Sequence, residues 1–115
     1  MNGATAIDVR PRFNGGEPGI EFIKWVYQNI KYPEEAWRER VSGKAVVKFT
    51  VNTDGCLSDF IILQSPHESI SREVIRILSQ SPAWTPGYIN GEPVRVSLTL
   101  PISFRFSDST TSPLP

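Results

Sequence analysis

The sequence predicts a two-layer α+β domain in which helices cover one face of a three-stranded antiparallel sheet. The first observation is the run at 94–106, whose apolar and polar residues alternate as in a strand with one buried face. The second is a predicted hairpin, with strands at 44–52 and 57–65 joined by Asn-Thr-Asp-Gly. The third is a helix predicted at 72–80, which returns the chain across the sheet before the last strand. The strand at 44–52 is then central, and the strand at 94–106 lies on one edge.

Length and charge narrow the class of protein. The chain has 115 residues, which suits one domain, and its 12 basic and 12 acidic residues leave no net charge to attract nucleic acid or an anionic membrane. One cysteine, Cys56, excludes an internal disulfide. No apolar run approaches the roughly 18 residues that a membrane helix needs, and the N-terminus has no signal peptide. We therefore expect either a cytosolic protein or a piece of a longer chain.

The first third of the chain predicts an arm and two helices. Residues 1–12 are expected to form an extended N-terminal arm, ahead of a break at Asn-Gly-Gly. A helix is predicted at 18–29, and a second at 33–40 with its proline first and its acidic residues in the first turn. The first helix is expected to bury its main apolar stripe, with Phe22 and Trp25 off that stripe. The stripe comprises Ile20, Ile23, Val26, Tyr27 and Ile30.

The hairpin and the following helix carry finer predictions. The mixed apolar pattern at 57–65 indicates a bulge near Ser58-Asp59, and Cys56 is expected to be exposed at the hairpin tip. Ser71 is predicted to be the N-cap of the helix at 72–80, with Ile70 and Ile75 as its hydrophobic staple.

The segments around the last strand also carry predictions. Trp84, between two prolines, is expected to be buried. The tight turn Asn90-Gly91 should lead the chain into the strand at 94–106. The tail at 107–115 is rich in Ser, Thr and Pro, and we expect it to be disordered.

The last strand has a predicted inner and outer side. Pro101 has no N–H to donate, so its backbone should face away from the central strand. Residues of the same parity should also face outward and form a row on which an extended peptide can add a strand. The two arginines of this row are expected to steer an acidic peptide. The row is Arg95, Ser97, Thr99, Pro101, Ser103 and Arg105.

An ordered set of motifs suggests a family. In sequence these are FNGG at 13–16, NIKYP at 29–33, GKAVVKFTV at 43–51, DG at 54–55, PAWTPG at 82–87, GEPV at 91–94 and LPISF at 100–104. Together they resemble the C-terminal domain of TonB-family energy transducers over residues 13–106. The chain departs from the family pattern at four positions. Ser71, Val74 and Ser81 stand where Asp, Ala and Met, in that order, are usual, and Ala45 replaces a larger β-branched residue.

The resemblance implies a periplasmic peptide-binding domain. Such domains are joined through a Pro-rich spacer to an inner-membrane helix and to an ExbB/ExbD-type motor. They bind the TonB box of outer-membrane transporters by strand addition and so drive uptake of iron chelates, vitamin B12 or glycans. Met1 is then expected to begin a piece cut from a longer protein. The resemblance places the peptide at the edge strand and near the segment before Tyr-Pro, which is Gln28, Asn29, Ile30 and Lys31.

Other uses of the chain remain open. The sequence contains no catalytic pair, phosphate loop or His/Cys cluster, so we expect no enzyme, cofactor or metal, and His67 is interpreted as a loop residue. A second copy of the domain is the competing occupant of the edge, as a homodimer. The alternative function is an extracytoplasmic docking or sensing domain of a membrane regulator or metallopeptidase. The segment upstream of the domain would distinguish this from a transducer.

Overall fold

The computed structural model describes residues 8–105. The predicted disordered tail at 107–115, the first seven residues of the predicted arm and Phe106 at the end of the predicted last strand lie outside this range. A π-helical turn at Pro18–Phe22 leads into three α-helices and five strands. The helices are α1 at Ile23–Asn29, α2 at Glu34–Arg38 and α3 at Glu68–Leu78. The strands are β1 at Gly43–Val51, β2 at Leu57–Gln64, β3 at Gly87–Ile89, β4 at Glu92–Val94 and β5 at Val96–Phe104.

The main sheet has the predicted topology. Its order is β2-β1-β5, with both pairs antiparallel, so the hairpin strand β1 is central and β5 lies on an edge. β1 and β5 pair without a register shift, from Gly43 opposite Phe104 to Val51 opposite Val96. One face of both strands is apolar and packs against the helices, and most of its side chains are buried. The predicted α+β fold with a three-stranded antiparallel sheet is confirmed.

The predicted irregularity in β2 is also present. The β1–β2 register shifts between Lys48, which faces Ile61, and Thr50, which faces Ser58. Asp59 lies within the shifted segment with a φ of 56°. The extra residue moves the apolar side chains of β2 from one parity to the other, which explains their mixed pattern.

The first helix buries only part of the predicted stripe. Val26 and Ile30 of that stripe are buried, but so is Phe22, which was predicted to lie off it, whereas Ile20 is 59% exposed. The reason is the π-helical turn at Pro18–Phe22. A π-helix has more residues in each turn than an α-helix, so a stripe drawn at α-helical spacing misplaces the residues that precede α1.

The third helix begins earlier than predicted. Its N-cap is His67, and Ser71 lies inside the helix, so the predicted cap is wrong. Ile70 is fully buried within the helix and does not act as a staple residue outside it. His67 lies outside the helix, in agreement with its interpretation as a loop residue, and its Nδ1 also accepts a hydrogen bond from the Ser69 N–H at 3.0 Å.

The last strand is shorter than the predicted run at 94–106. Val94 belongs to a separate hairpin, in which β3 and β4 pair across a turn with positive φ at Asn90 and Gly91. Arg95 lies between β4 and β5, and β5 begins at Val96. The alternating pattern continues across this break because the chain stays extended while it changes its pairing partner from β3 to β1.

Trp84 lies in the core, where it packs against three phenylalanine rings. It is 4% exposed, as predicted, and its indole N–H donates to the Ser81 hydroxyl at 3.1 Å. Its ring contacts Phe13, Phe22 and Phe49, with centroids between 4.7 and 5.8 Å apart. The segment at 82–87 therefore closes the core between the helices and the sheet.

Candidate functional site

The outer side of β5 is the exposed edge of the sheet, because no strand among residues 8–105 pairs with it. The Ser103 N–H donates to the Tyr27 hydroxyl at 2.8 Å, so this amide points away from β1. Because the β1–β5 register is unbroken, Ser97, Thr99 and Pro101 share its orientation. The outward direction predicted from Pro101 therefore agrees with the structure at Ser103.

The backbone donors of this edge are unequal. Pro101 has no N–H, and the Ser103 N–H is already bonded to Tyr27. The N–H groups of Ser97 and Thr99 point outward, so they are the donors that a partner strand can use first. The four side chains of this row are exposed on the face of the sheet away from the helices.

The two predicted arginines occupy different surroundings. Arg95 precedes β5, and its guanidinium donates to Asn52 Oδ1 at 2.9 Å and to Asp59 Oδ2 at 2.7 Å. These contacts hold the Arg95 charge over the β1–β2 hairpin, on the side of the sheet away from the exposed edge. Arg105 follows β5 and lines a cavity beside the C-terminal end of that strand.

The segment before Tyr32-Pro33 only partly reaches the edge. Gln28 and Asn29 are exposed at the end of α1, and the Asn29 side chain donates to the Trp25 carbonyl at 2.7 Å. Ile30 is buried, and it lines the same cavity as Ser103 and Arg105. The Lys31 N–H donates to Glu73 Oε2 at 2.7 Å, which fastens this segment to α3.

Two cavities adjoin β5 on the helical side of the sheet. One, of about 270 Å³, is bordered by the stretch Leu98–Pro101, by Phe49 and by the start of the π-helical turn. The other, of about 320 Å³, lies at the far end of the strand. Its lining is mostly apolar and consists of Tyr27, Ile30, Tyr32, Ser103, Phe104 and Arg105.

Tyr27 is the site residue that sequence reasoning misplaced. The predicted stripe assigned it to the core, but its side chain is 39% exposed and its hydroxyl contacts the edge strand. The available signal was its phenol, since a tyrosine on an apolar stripe needs a partner for its hydroxyl.

Tyr32 lines the cavity of about 320 Å³ and is held in place by its neighbours. Its ring packs edge-on against Trp37 and Phe104, with centroids 5.4 and 5.6 Å away. Its hydroxyl donates to the Val41 carbonyl. Burial raises the pKa of the Tyr32 phenol, so the hydroxyl stays protonated and remains a donor at neutral pH.

Within residues 8–105 no group of three or more His, Cys, Asp or Glu side chains is placed to hold a metal ion. The same part of the chain has no helix with the length and apolar character needed to span a membrane. The single histidine, His67, lies at the start of α3, where its Nε2 is 3.4 Å from Glu39 Oε1. The outer edge of β5 and its two cavities are therefore the features from which a function can be argued.

Comparison with known proteins connects this geometry to a family. Residues 28–106 match the family described as "Gram-negative bacterial TonB protein C-terminal". The solution structure of the Pseudomonas aeruginosa TonB C-terminal domain is 25% identical, with a TM-score of 0.58 over 71% of this chain and 83% of that one. Two solution structures of the Helicobacter pylori domain are also similar. The shorter is 19% identical, with a TM-score of 0.57 over 78% of this chain and 95% of that one. The longer is 18% identical, with a TM-score of 0.56 over 94% of this chain and 99% of that one. No curated protein sequence matches the chain.

Proposed function

Because the chain belongs to the family of Gram-negative bacterial TonB C-terminal domains, we propose that it is the non-catalytic, peptide-binding domain of a periplasmic energy transducer. Its ligand is the TonB box of an outer-membrane transporter, bound as an added strand on the outer side of β5. In the whole protein an inner-membrane anchor and an ExbB/ExbD-type motor supply the force. The transported nutrient is an iron chelate, vitamin B12 or a glycan.

The observation that carries this proposal is the open edge of β5. Ser97 and Thr99 present outward N–H groups, and Ser97, Thr99 and Pro101 present outward carbonyls. A sheet edge of this kind binds an extended peptide through main-chain hydrogen bonds and takes specificity from neighbouring pockets. Two cavities border β5 and support the proposal, because such a peptide needs pockets for its side chains.

A proline substitution tests the edge without disturbing the sheet. Thr99→Pro removes an outward N–H and keeps every bond between β5 and β1, and Pro101 shows that this row accepts proline. We expect the variant to bind TonB-box peptides roughly tenfold more weakly or worse, because a hydrogen bond is lost and the proline ring obstructs the partner strand. Isothermal titration calorimetry with synthetic peptides measures this.

Thr99→Val is the matched control, since it changes the side chain and keeps the N–H. It should bind like the wild type, and thermal melts should show that both variants are folded. NMR titration gives a second readout. Peptide-induced shifts confined to α3, with the amides of 95–105 unmoved, would contradict the proposal. Concentration-dependent shifts of the same amides without peptide would instead identify a homodimer as the occupant of the edge.

A further inference from the structure

The Tyr27 hydroxyl occupies a position on the edge of β5 that a partner strand would need. The outward Ser103 N–H donates to this hydroxyl at 2.8 Å, although the two residues are 76 positions apart in sequence. In an added strand, a backbone carbonyl accepts from this N–H. The phenol oxygen therefore stands in for the carbonyl of a strand that is absent.

Exposed edges are commonly protected against indiscriminate pairing, and this edge has two such protections. Pro101 removes one outward donor, and Tyr27 covers the next one at Ser103. The open donors, Ser97 and Thr99, lie together in the first half of β5. A partner strand can pair with that half directly, but pairing beyond Pro101 requires Tyr27 to move.

The cavity beside Tyr27 indicates what the partner carries there. Side chains that flank the partner residue opposite Ser103 point to the helical side of the sheet, towards Phe104 and the cavity of about 320 Å³. Ile30, Tyr32 and Phe104 supply an apolar lining for one such side chain. Arg105 lies at the same cavity, and among residues 8–105 no acidic side chain forms an ion pair with it, so a carboxylate on the partner is favoured nearby.

We propose that Tyr27 is a latch on the edge of β5. A partner strand displaces its hydroxyl from the Ser103 N–H, supplies a backbone carbonyl in its place and inserts an apolar side chain into the Ile30–Tyr32–Phe104 cavity. The partner is an extended segment with a large apolar residue next to the one opposite Ser103 and an acidic residue close to Arg105. This inference rests on the proposed function, and it adds the residue that regulates how far the pairing extends.

Tyr27→Phe tests the latch, because it removes only the competing oxygen. A neutral hydrogen bond of this kind has a modest net free energy, so we expect the variant to bind synthetic TonB-box peptides roughly two- to tenfold more tightly. Tyr88→Phe is the matched control, since it removes the same group from a tyrosine that lines neither cavity, and it should bind like the wild type.

A second measurement needs no peptide. In the free domain, amide hydrogen exchange at Ser103 should be about two- to tenfold faster in Tyr27→Phe than in the wild type, with Leu100 and Ile102 unchanged. In the complex, nuclear Overhauser contacts should connect an apolar peptide side chain with the rings of Tyr32 and Phe104.

The outcomes separate this inference from the proposed function. Peptide binding by the wild type that Tyr27→Phe leaves equal or weakens would overturn the latch, while the Thr99→Pro result still supports edge binding. Amide hydrogen exchange at Ser103 that is equal in Tyr27→Phe and the wild type would also overturn the latch. Failure of the wild type to bind any of the peptides would reject the proposed function, and the latch with it.

Discussion

At the residue scale, Gly55 has a role beyond its hairpin turn. The Trp84 N–H donates to the Gly55 carbonyl at 2.9 Å, so the β1–β2 turn contacts the segment that closes the core. A Cβ atom on Gly55 would lie only 2.1 Å from the Trp84 carbonyl oxygen, and the φ of Gly55 is 88°. Both the close approach and the backbone conformation therefore require glycine here.

Replacing Gly55 with alanine should destabilise the domain more than the same change in an uncrowded turn. Gly91→Ala is the control, because φ is 79° there and nothing lies within 4 Å of the added atom. We expect Gly91→Ala to cost about 1 kcal/mol, from the left-handed backbone alone. Gly55→Ala should cost about 3 kcal/mol, since steric overlap is added. Urea unfolding measures both, and equal losses would show that the contact with Trp84 is unimportant.

Cys56 is exposed, as predicted. The neighbouring Asp54 carboxylate raises the pKa of the Cys56 thiol, first through its charge and then through a hydrogen bond. A higher pKa leaves less thiolate at neutral pH, and the thiolate is the nucleophile. Alkylation should therefore be slow at pH 7 and accelerate as the pH rises.

Asp54→Asn should speed this reaction at pH 7. Asparagine keeps an oxygen that can accept from the Cys56 N–H, where Asp54 Oδ1 now lies at 3.0 Å, and it removes the charge. The pKa of the thiol then falls, and the thiolate fraction increases. Iodoacetamide is a suitable reagent because it is uncharged. Identical pH profiles for the two proteins would mean that Asp54 does not influence the thiol.

At the element scale, α3 is capped by a residue that sequence preferences disfavour. Nδ1 of His67 accepts from the Ser69 N–H, and Nε2 faces Glu39 Oε1 at 3.4 Å. Glu39 follows α2, so the imidazole also connects the start of α3 with the end of the preceding helix. Ser71 has better cap chemistry, but it lies inside α3, where its hydroxyl donates to the His67 carbonyl at 3.5 Å.

His67→Ala should destabilise the domain by about 0.5–2 kcal/mol, the usual cost of a lost N-cap. His67→Asn is the matched variant, because its side-chain oxygen can accept from the same N–H, and it should recover most of the loss. Urea unfolding of the three proteins gives the comparison. If alanine and asparagine unfold at the same denaturant concentration, the side-chain cap contributes nothing measurable.

At the scale of the whole molecule, the described part of the N-terminal arm belongs to the packed structure. Arg12 and Thr85 exchange two backbone hydrogen bonds, at 3.0 and 2.9 Å, and the Tyr88 N–H donates to the Val9 carbonyl at 2.9 Å. Pro11, between these bridges, is fully buried. The arm thereby holds the segment at 85–89, which leads into β4 and then into the edge strand β5.

Arg12→Pro should loosen this assembly. It removes the N–H that bonds to Thr85 and leaves a carbonyl without its partner, so we expect a loss of about 1–3 kcal/mol. Arg12→Ala is the control, because the Arg12 side chain is exposed and the N–H is retained. It should lie within about 0.5 kcal/mol of the wild type. An equal loss in both variants would assign the effect to the side chain.

The sequence by itself determined the main sheet and the direction of its edge. Both depend on local rules: the alternation within β1 and β5, the Asp-Gly turn between β1 and β2, and the missing N–H of Pro101. The bulge at Asp59 and the burial of Trp84 were predictable for the same reason. The ordered motifs indicated the family, whose model matches residues 28–106.

Only the tertiary structure decided which side chains surround that edge. The Tyr27 hydroxyl meets Ser103 across 76 positions, and the Arg95 guanidinium meets Asp59 across 36. The cap at His67 likewise depends on a contact with Glu39, which lies in a different part of the chain. The face that α1 buries depends on the π-helical turn that precedes it. A pattern of nearest neighbours specifies where a strand or helix forms. The partner of an exposed hydroxyl or guanidinium depends on how the finished elements pack, because residues distant in sequence supply the other half of each contact.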